Sequence, residues 1–228
     1  MESNRRREIA STSPTLEPIT VLLVDDHPVV RDGYRRLLEN TRDIRVVAEA
    51  GDGESAITLY KEYAPDVVVL DLSMPGIGGL ETLGRIKAQD AAARILVFSM
   101  HDSEILMMRC LKAGATGYLT KNNGAGKMVE AVHSVARGKV FLDSAHSANI
   151  LSQQLFGVLE DPLLALSPRE FQIFQLLAEG LSVADIASTL SISAKTVGVH
   201  HARIMKKLEL QTPTQLVRLA IRCNVIQP

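Results

Sequence analysis

Residues Val67–Gly76 read VVVLDLSMPG. Val67 to Leu70 are four consecutive apolar β-formers. They describe a strand buried on both faces, the pattern of a parallel sheet covered by helices. The next residue is Asp71, a carboxylate delivered at the strand's end, and a Pro75–Gly76 turn then carries the chain away. In isolation Asp71 is equally a turn residue or the cap of the following helix. The other reading makes the strand a pedestal for a carboxylate that reacts, and the neighbouring strands decide between the two.

Outward from this stretch the chain alternates. ITVLLV (Ile19 to Val24) is a buried strand, followed by DDHPVVRDGYRRLLEN. There Pro28 suits a first helical turn, and Val29, Val30, Tyr34, Leu37 and Leu38 are expected on one face. IRVVAEA (Ile44 to Ala50) is a second strand, with a helix from Glu54 to about Tyr63. After VVVL comes a helix from about Gly79 to Lys87, and RILVFS (Arg94 to Ser99) precedes a helix from Ser103 to about Lys112. GYLT (Gly117 to Thr120) leads through Lys121 to a helix from about Ala125 to Arg137. Such repeats predict an α/β domain over residues 19–137, a doubly wound five-stranded parallel sheet.

The rhythm stops at Gly138. Residues 138–162 lack a strand signal and read as a linker in which SANILSQQLF suits one short helix. Residues 163–228 are helical and well punctuated, a small all-α domain. SPRE (Ser167 to Glu170) is a capping box, Gly180 ends that helix, Ser182 and Ser193 cap the next two, and TPTQ (Thr212 to Gln215) is a second capping box. Residues 1–18 carry three arginines with no apolar stretch behind them, and so read as a disordered tail rather than a secretory signal.

Charge is unevenly spread. The whole chain has 25 basic and 26 acidic residues, but 19–137 holds 14 basic against 16 acidic and 163–228 holds 7 against 4. Between Asp185 and Glu209 every charge is positive, from Lys195, Arg203, Lys206 and Lys207, which makes a local basic patch. Cys110 and Cys223 lie in apolar helical patterns and read as reduced thiols of a cytoplasmic protein. No apolar run approaches membrane-spanning length.

In an open α/β sheet, ligands gather at the carboxyl ends of the strands. The first strand delivers Asp25 and Asp26 there, the third Asp71, the fourth Ser99 and the fifth Lys121. Clustered carboxylates repel unless a cation relieves them, and a hard divalent ion with oxygen ligands, Mg²⁺, is the natural one. Asp26 would bind it directly, Asp25 mainly through water, and Asp71 and the Ser73 carbonyl would complete the protein ligands. Asp71 could then attack a phosphoryl group, with Lys121 pairing to Asp71 or to a phosphoryl oxygen. Ser99 could move to that oxygen and turn phosphorylation into loop movement.

VLLVDDHP, VVVLDLSMPG, FSMHD and GYLTK, in this order and spacing, resemble the receiver domain of a bacterial two-component response regulator over about Thr20 to Arg137. The resemblance implies that Asp71 accepts phosphate from a sensor histidine kinase and that Tyr118 is a rotameric switch following Ser99. It also places Ser73 and His101 where the family tunes phosphate lifetime. It implies a regulator rather than an enzyme, its only chemistry being phosphoryl transfer to and from itself.

LSPRE, LLAEGLS and DIASTLSISAKTVGVHHARIMKKL resemble the LuxR-type helix-turn-helix of the NarL/FixJ subfamily over about Leu166 to Arg222. The implied partners are double-stranded DNA, a second copy of the chain on that DNA, and RNA polymerase. In that family the helix starting near Ala194 enters the major groove. Val197, His200, Ile204 and Leu208 recur at helical spacing and are expected to face the core. Lys195, Gly198, Val199, Ala202, Arg203 and Lys206 remain for the groove, with Thr196 and His201 as further candidates. Lys195, Arg203 and Lys206 suit phosphates. Gly198 and Ala202 stand where relatives often carry a long polar side chain, so Val199 and DNA shape must carry more of the specificity. Gly198 either permits close approach to DNA or is merely tolerated there.

Enzyme readings fail on particular residues. A haloacid-dehalogenase-type phosphatase needs a second acid two residues after the first, where this chain has Ser73. NNGAGKMV fails as a P-loop because Met128 follows Lys127, and a dinucleotide fold wants glycines where this chain has DDHP. A protein-binding adaptor remains, and the acid-free basic stretch from Lys195 to Lys207 favours DNA over it.

Overall fold

The apolar runs found above are strands of a single sheet, and helices that cross its faces join each to the next in the chain. The structure is a computed structural model and describes residues 17–123, 125–142, 162–223 and 225–226. The strands are β1 (Ile19–Val24), β2 (Ile44–Ala50), β3 (Val67–Leu70), β4 (Ile95–Ser99), β5 (Gly117–Thr120) and β6 (Phe141–Leu142). They lie parallel in the order β2-β1-β3-β4-β5-β6. The crossovers are α1 (Pro28–Glu39), α2 (Gly53–Tyr63), α3 (Gly78–Gln89), α4 (Glu104–Lys112) and α5 (Ala125–Ala136).

Alternate residues of the strands build a core on each face, as the two-residue period of a strand requires. Leu22, Val24, Val68, Leu70, Ile95 and Val97 face one side, and Val21, Leu23, Val67, Val69, Leu96 and Phe98 face the other. β3 sits inside the sheet between β1 and β4, so all four of its side chains are buried. Each contributes about 1.5–3 kcal/mol by leaving water. That burial fixes the position of the strand's tip.

Two expectations need correction. The sheet has six strands, not five: Phe141 and Leu142 pair with Gly117 and Tyr118 within the span read as a linker without a strand. Two residues are too few to show a period, and pairing with the β5 edge is what makes them a strand. Val29 is 85% exposed, whereas Leu38 is buried and Val30, Tyr34 and Leu37 are half-buried. One residue is about 100° of helix, so Val29 falls off the stripe that Val30 begins. SANILSQQLF and nearly all of the N-terminal tail lie outside the described residues.

The second half contains a 3₁₀ turn (Pro162–Ala165), α6 (Pro168–Ala178), α7 (Val183–Thr189), α8 (Ala194–Lys207) and α9 (Pro213–Arg222). Capping boxes open α6, α7 and α9, and the Ser193 side chain accepts from the Thr196 N–H to cap α8. Its core includes Phe171, Phe174, Ile186, Val197, Ile204 and Leu216. This core is continuous with the α3–α4 side of the sheet. Arg109 of α4 joins the two, donating from Nη2 to the Leu166 carbonyl at 2.6 Å and stacking 4.5 Å from the centre of the Phe171 ring. Among the described residues no helix is long and apolar enough to cross a membrane.

Candidate functional site

The ends of β1, β3 and β5 meet at one edge. Asp25 and Asp71 are 6% and 3% exposed there, and Ser99, at the end of β4, is fully buried. Lys121 follows β5 and places Nζ 2.6 Å from Asp25 Oδ2 and 2.6 Å from Asp71 Oδ2. Burial works against that ammonium, but hydrogen bonds and fields from Asp25 and Asp71 outweigh it and hold its pKa above the ordinary lysine value. Asp71 Oδ1 accepts from the Ser73 N–H at 3.1 Å, so both carboxylate oxygens are held. The loop turns at Gly76, whose φ of +73° suits glycine. A Cβ on Gly79 would lie 2.1 Å from the Asp71 carbonyl oxygen, so only glycine lets α3 begin this close to the strand tip.

Ligand atoms of Asp25, Asp26, His27 and Asp71 all lie within 4.8 Å of one another. Asp26 Oδ1 is buried and has only His27 Nδ1 beside it, at 2.8 Å, a contact that is a hydrogen bond only if that nitrogen carries a proton. A carboxylate-rich donor set with an under-satisfied oxygen fits a hard divalent cation. His27 was not singled out in the sequence, although the run DDHP places it beside both acids.

Ser99 Oγ accepts from the His101 N–H at 3.2 Å. Tyr118 is 1% exposed, and its hydroxyl donates to the His101 carbonyl at 2.8 Å. Burial pushes the Tyr118 phenol up and the His101 imidazolium down, so both are neutral near pH 7. His101 also meets the helical half, for Gln175 Nε2 of α6 stands 2.9 Å from His101 Nε2. The pair is 74 residues apart in the chain, and no local pattern signals it.

On α8, Val197 and Ile204 are fully buried, Leu208 is 8% exposed and His200 is half-buried. Lys195, Thr196, Gly198, Val199, Ala202, Arg203 and Lys206 are exposed on the opposite side, and His201 is half-buried. A Cβ on Gly198 would meet nothing within 4 Å, so nothing in the protein itself requires glycine there. The fold thus presents one helix face with three cations and no acid.

Comparison with known proteins agrees with both halves. The response regulator receiver domain family matches residues 21–133, and the family of bacterial regulatory proteins of the luxR type matches residues 164–220. The chain is 38% identical over 199 residues to the nitrate/nitrite response regulator protein NarP of Escherichia coli K12, covering 87% of this chain and 93% of the relative. It is 40% identical over 210 residues to the response regulator UvrY of the same strain, covering 90% and 96%. A solved structure of RcsB from Salmonella enterica serovar Typhimurium, bound to promoter P1flhDC in the presence of phosphomimetic BeF3-, superposes with a TM-score of 0.64 at 27% identity, covering 89% of this chain and 98% of that one. The chain belongs to the NarL/FixJ family of two-component response regulators, with a receiver domain and a LuxR-type DNA-binding domain.

Proposed function

We propose that Asp71 is the phosphoacceptor of this regulator and that its phosphorylation controls DNA binding by α8. The observation that carries this is the convergence of Asp71, Asp25, Asp26 and Lys121 at one buried edge. A carboxylate oxygen of Asp71 attacks the phosphorus of a phosphohistidine on the sensor kinase. The P–N bond breaks, and the imidazole leaves with its electron pair and takes up a proton. Lys121 lies within reach of a phosphoryl oxygen bound to Asp71 and offsets its charge. Asp26, Asp25, Asp71 and the Ser73 carbonyl would hold Mg²⁺, which supplies positive charge against the phosphoryl oxygens. Ser99 and Tyr118 then change partners and carry the signal outward.

We assign residues 1–18 to a tail, 19–137 to the receiver, 138–162 to a linker that adds β6 to the receiver's sheet as it leaves, and 163–228 to the DNA-binding domain. Lys195, Arg203 and Lys206 contact phosphates, with Thr196, Gly198, Val199, His201 and Ala202 toward the bases and groove walls. The active species is a cytoplasmic homodimer that reads paired half-sites and acts on RNA polymerase. BeF3- in the promoter-bound RcsB structure supports the link between an acyl-phosphate mimic and DNA binding. Acetyl phosphate with Mg²⁺ is expected to add one phosphoryl group, read by intact mass, and Asp71→Asn to abolish it. An unchanged adduct in that variant would assign the nucleophile elsewhere.

A further inference from the structure

We propose that His27 is a nitrogen ligand at the acidic edge, and that its imidazole gives this receiver a preference there for a divalent d-block ion of the Zn²⁺ and Co²⁺ class over Mg²⁺. The inference rests on the proposed metal site of Asp25, Asp26 and Asp71.

His27 is the N-cap residue of α1, directly after the two acids that end β1. A capping side chain accepts from the first N–H groups of its helix, and His27 makes no such bond. Its ring turns toward the acids instead, with Nδ1 2.8 Å from Asp26 Oδ1 and 3.4 Å from Asp25 Oδ1. Its backbone N–H donates to Asp25 Oδ1 at 2.8 Å and holds the residue against the edge. The side chain is otherwise open, 64% exposed, so an ion reaches it from solvent without disturbing the core. Lys121 engages Oδ2 of Asp25 and of Asp71, whereas His27 meets Oδ1 of Asp25. A ligand role for His27 therefore does not require the ammonium to leave.

The spacing suits two donors on one ion. Donors each about 2.1 Å from a metal and at right angles stand ~3.0 Å apart, and His27 Nδ1 and Asp26 Oδ1 are close to that separation. Asp71 offers an oxygen within 4.8 Å of both. Asp26 Oδ1 is buried with only that ring nitrogen beside it, so an ion between them would satisfy both atoms. Ligation uses the Nδ1 lone pair and leaves the ring's proton on Nε2. Mg²⁺ takes oxygen ligands and retained water and gains little from imidazole, whereas Zn²⁺ and Co²⁺ accept imidazole and carboxylate together. The carboxylates alone serve either class, and the imidazole is what separates them. A d-block ion held by His27 then competes with Mg²⁺ for an oxygen of the phosphoacceptor itself.

The test is isothermal titration calorimetry of the full chain with Mg²⁺ and with Co²⁺ in the wild type, His27→Gln, Asp26→Ala and the double variant. His27→Gln is expected to weaken Co²⁺ about tenfold or more, the lower end of what removing a group that supports a metal site costs. Mg²⁺ binding is not weakened by the same change, and the visible absorption of bound Co²⁺ shifts as nitrogen is lost. Other histidines can take Co²⁺ elsewhere on the chain, so the double variant supplies the control: the effect of His27→Gln is expected to vanish once Asp26 is alanine. Equal weakening of both ions, no weakening of Co²⁺, or a His27 effect that persists in Asp26→Ala overturns the inference while leaving Mg²⁺ at the edge. Failure of the wild type to bind Mg²⁺ overturns the proposed metal site and the inference with it.

Discussion

Lys121 stands 2.6 Å from an oxygen of Asp25 and 2.6 Å from one of Asp71, and its side chain is only 10% exposed. Without it, two acids share a buried edge with no counter-charge. Breaking a buried ion pair from one side costs about 3–5 kcal/mol. Lys121→Met is therefore expected to lose about that much in metal-free urea denaturation and to regain part of it on adding Mg²⁺, which binds only the folded site. A variant as stable as the wild type without metal would show that the carboxylates do not depend on the ammonium. Gly198 poses the opposite question. With open space around it, Gly198→Ala is expected to stabilise the DNA-binding domain by up to about 1 kcal/mol in thermal melts. If glycine lets α8 approach DNA closely, the same variant binds duplex more weakly. If it is only tolerated, affinity is unchanged.

Among the elements, the opening of α6 rests on one buried acid. Glu170 is 4% exposed, its carboxylate accepts from the Ser167 N–H at 2.8 Å, and Lys207 of α8 reaches it at 2.6 Å. Burial alone would raise the Glu170 pKa, but Lys207 and the Ser167 bonds outweigh it and hold the carboxyl below its usual value. A depressed acid contributes stability that is complete above the unfolded value of about 4.3 and is lost as pH falls through the folded value. Glu170→Gln is expected to cost about 1–3 kcal/mol at pH 7, as loss of a charge-assisted bond does. It is also expected to flatten the fall in stability below about pH 4.3, read by circular dichroism melts. An unchanged acid limb would place that sensitivity elsewhere. Elements of this kind were legible because capping boxes, β-former runs and helix-ending glycines act within a few residues. β2, β3 and β5 occupy the residues expected of them. Val29 and β6 were misread for the same reason. A stripe's edge and a two-residue strand are decided by what packs beside them, not by local pattern.

At the scale of the whole molecule, the strand tips were legible because strands that all run parallel bring their carboxyl ends to one edge. The docking of one half on the other was not. It depends on Arg109 and the Leu166 carbonyl, 57 residues apart, and on His101 and Gln175, 74 apart. Neither pair leaves a mark on its own neighbourhood. In this docked arrangement the basic face of α8 remains exposed, so control of DNA binding need not come from covering that face. Control is instead expected to lie in the orientation and pairing of the two halves. The most direct measurement is a titration of the full chain against its tightest duplex from a selection of genomic fragments, with and without beryllofluoride, in the wild type and in Asp71→Asn. The account predicts tighter, steeply salt-dependent binding with beryllofluoride in the wild type alone, with about three phosphates neutralised per copy. Equal affinity with and without beryllofluoride in the wild type, or the same gain in Asp71→Asn, would contradict it.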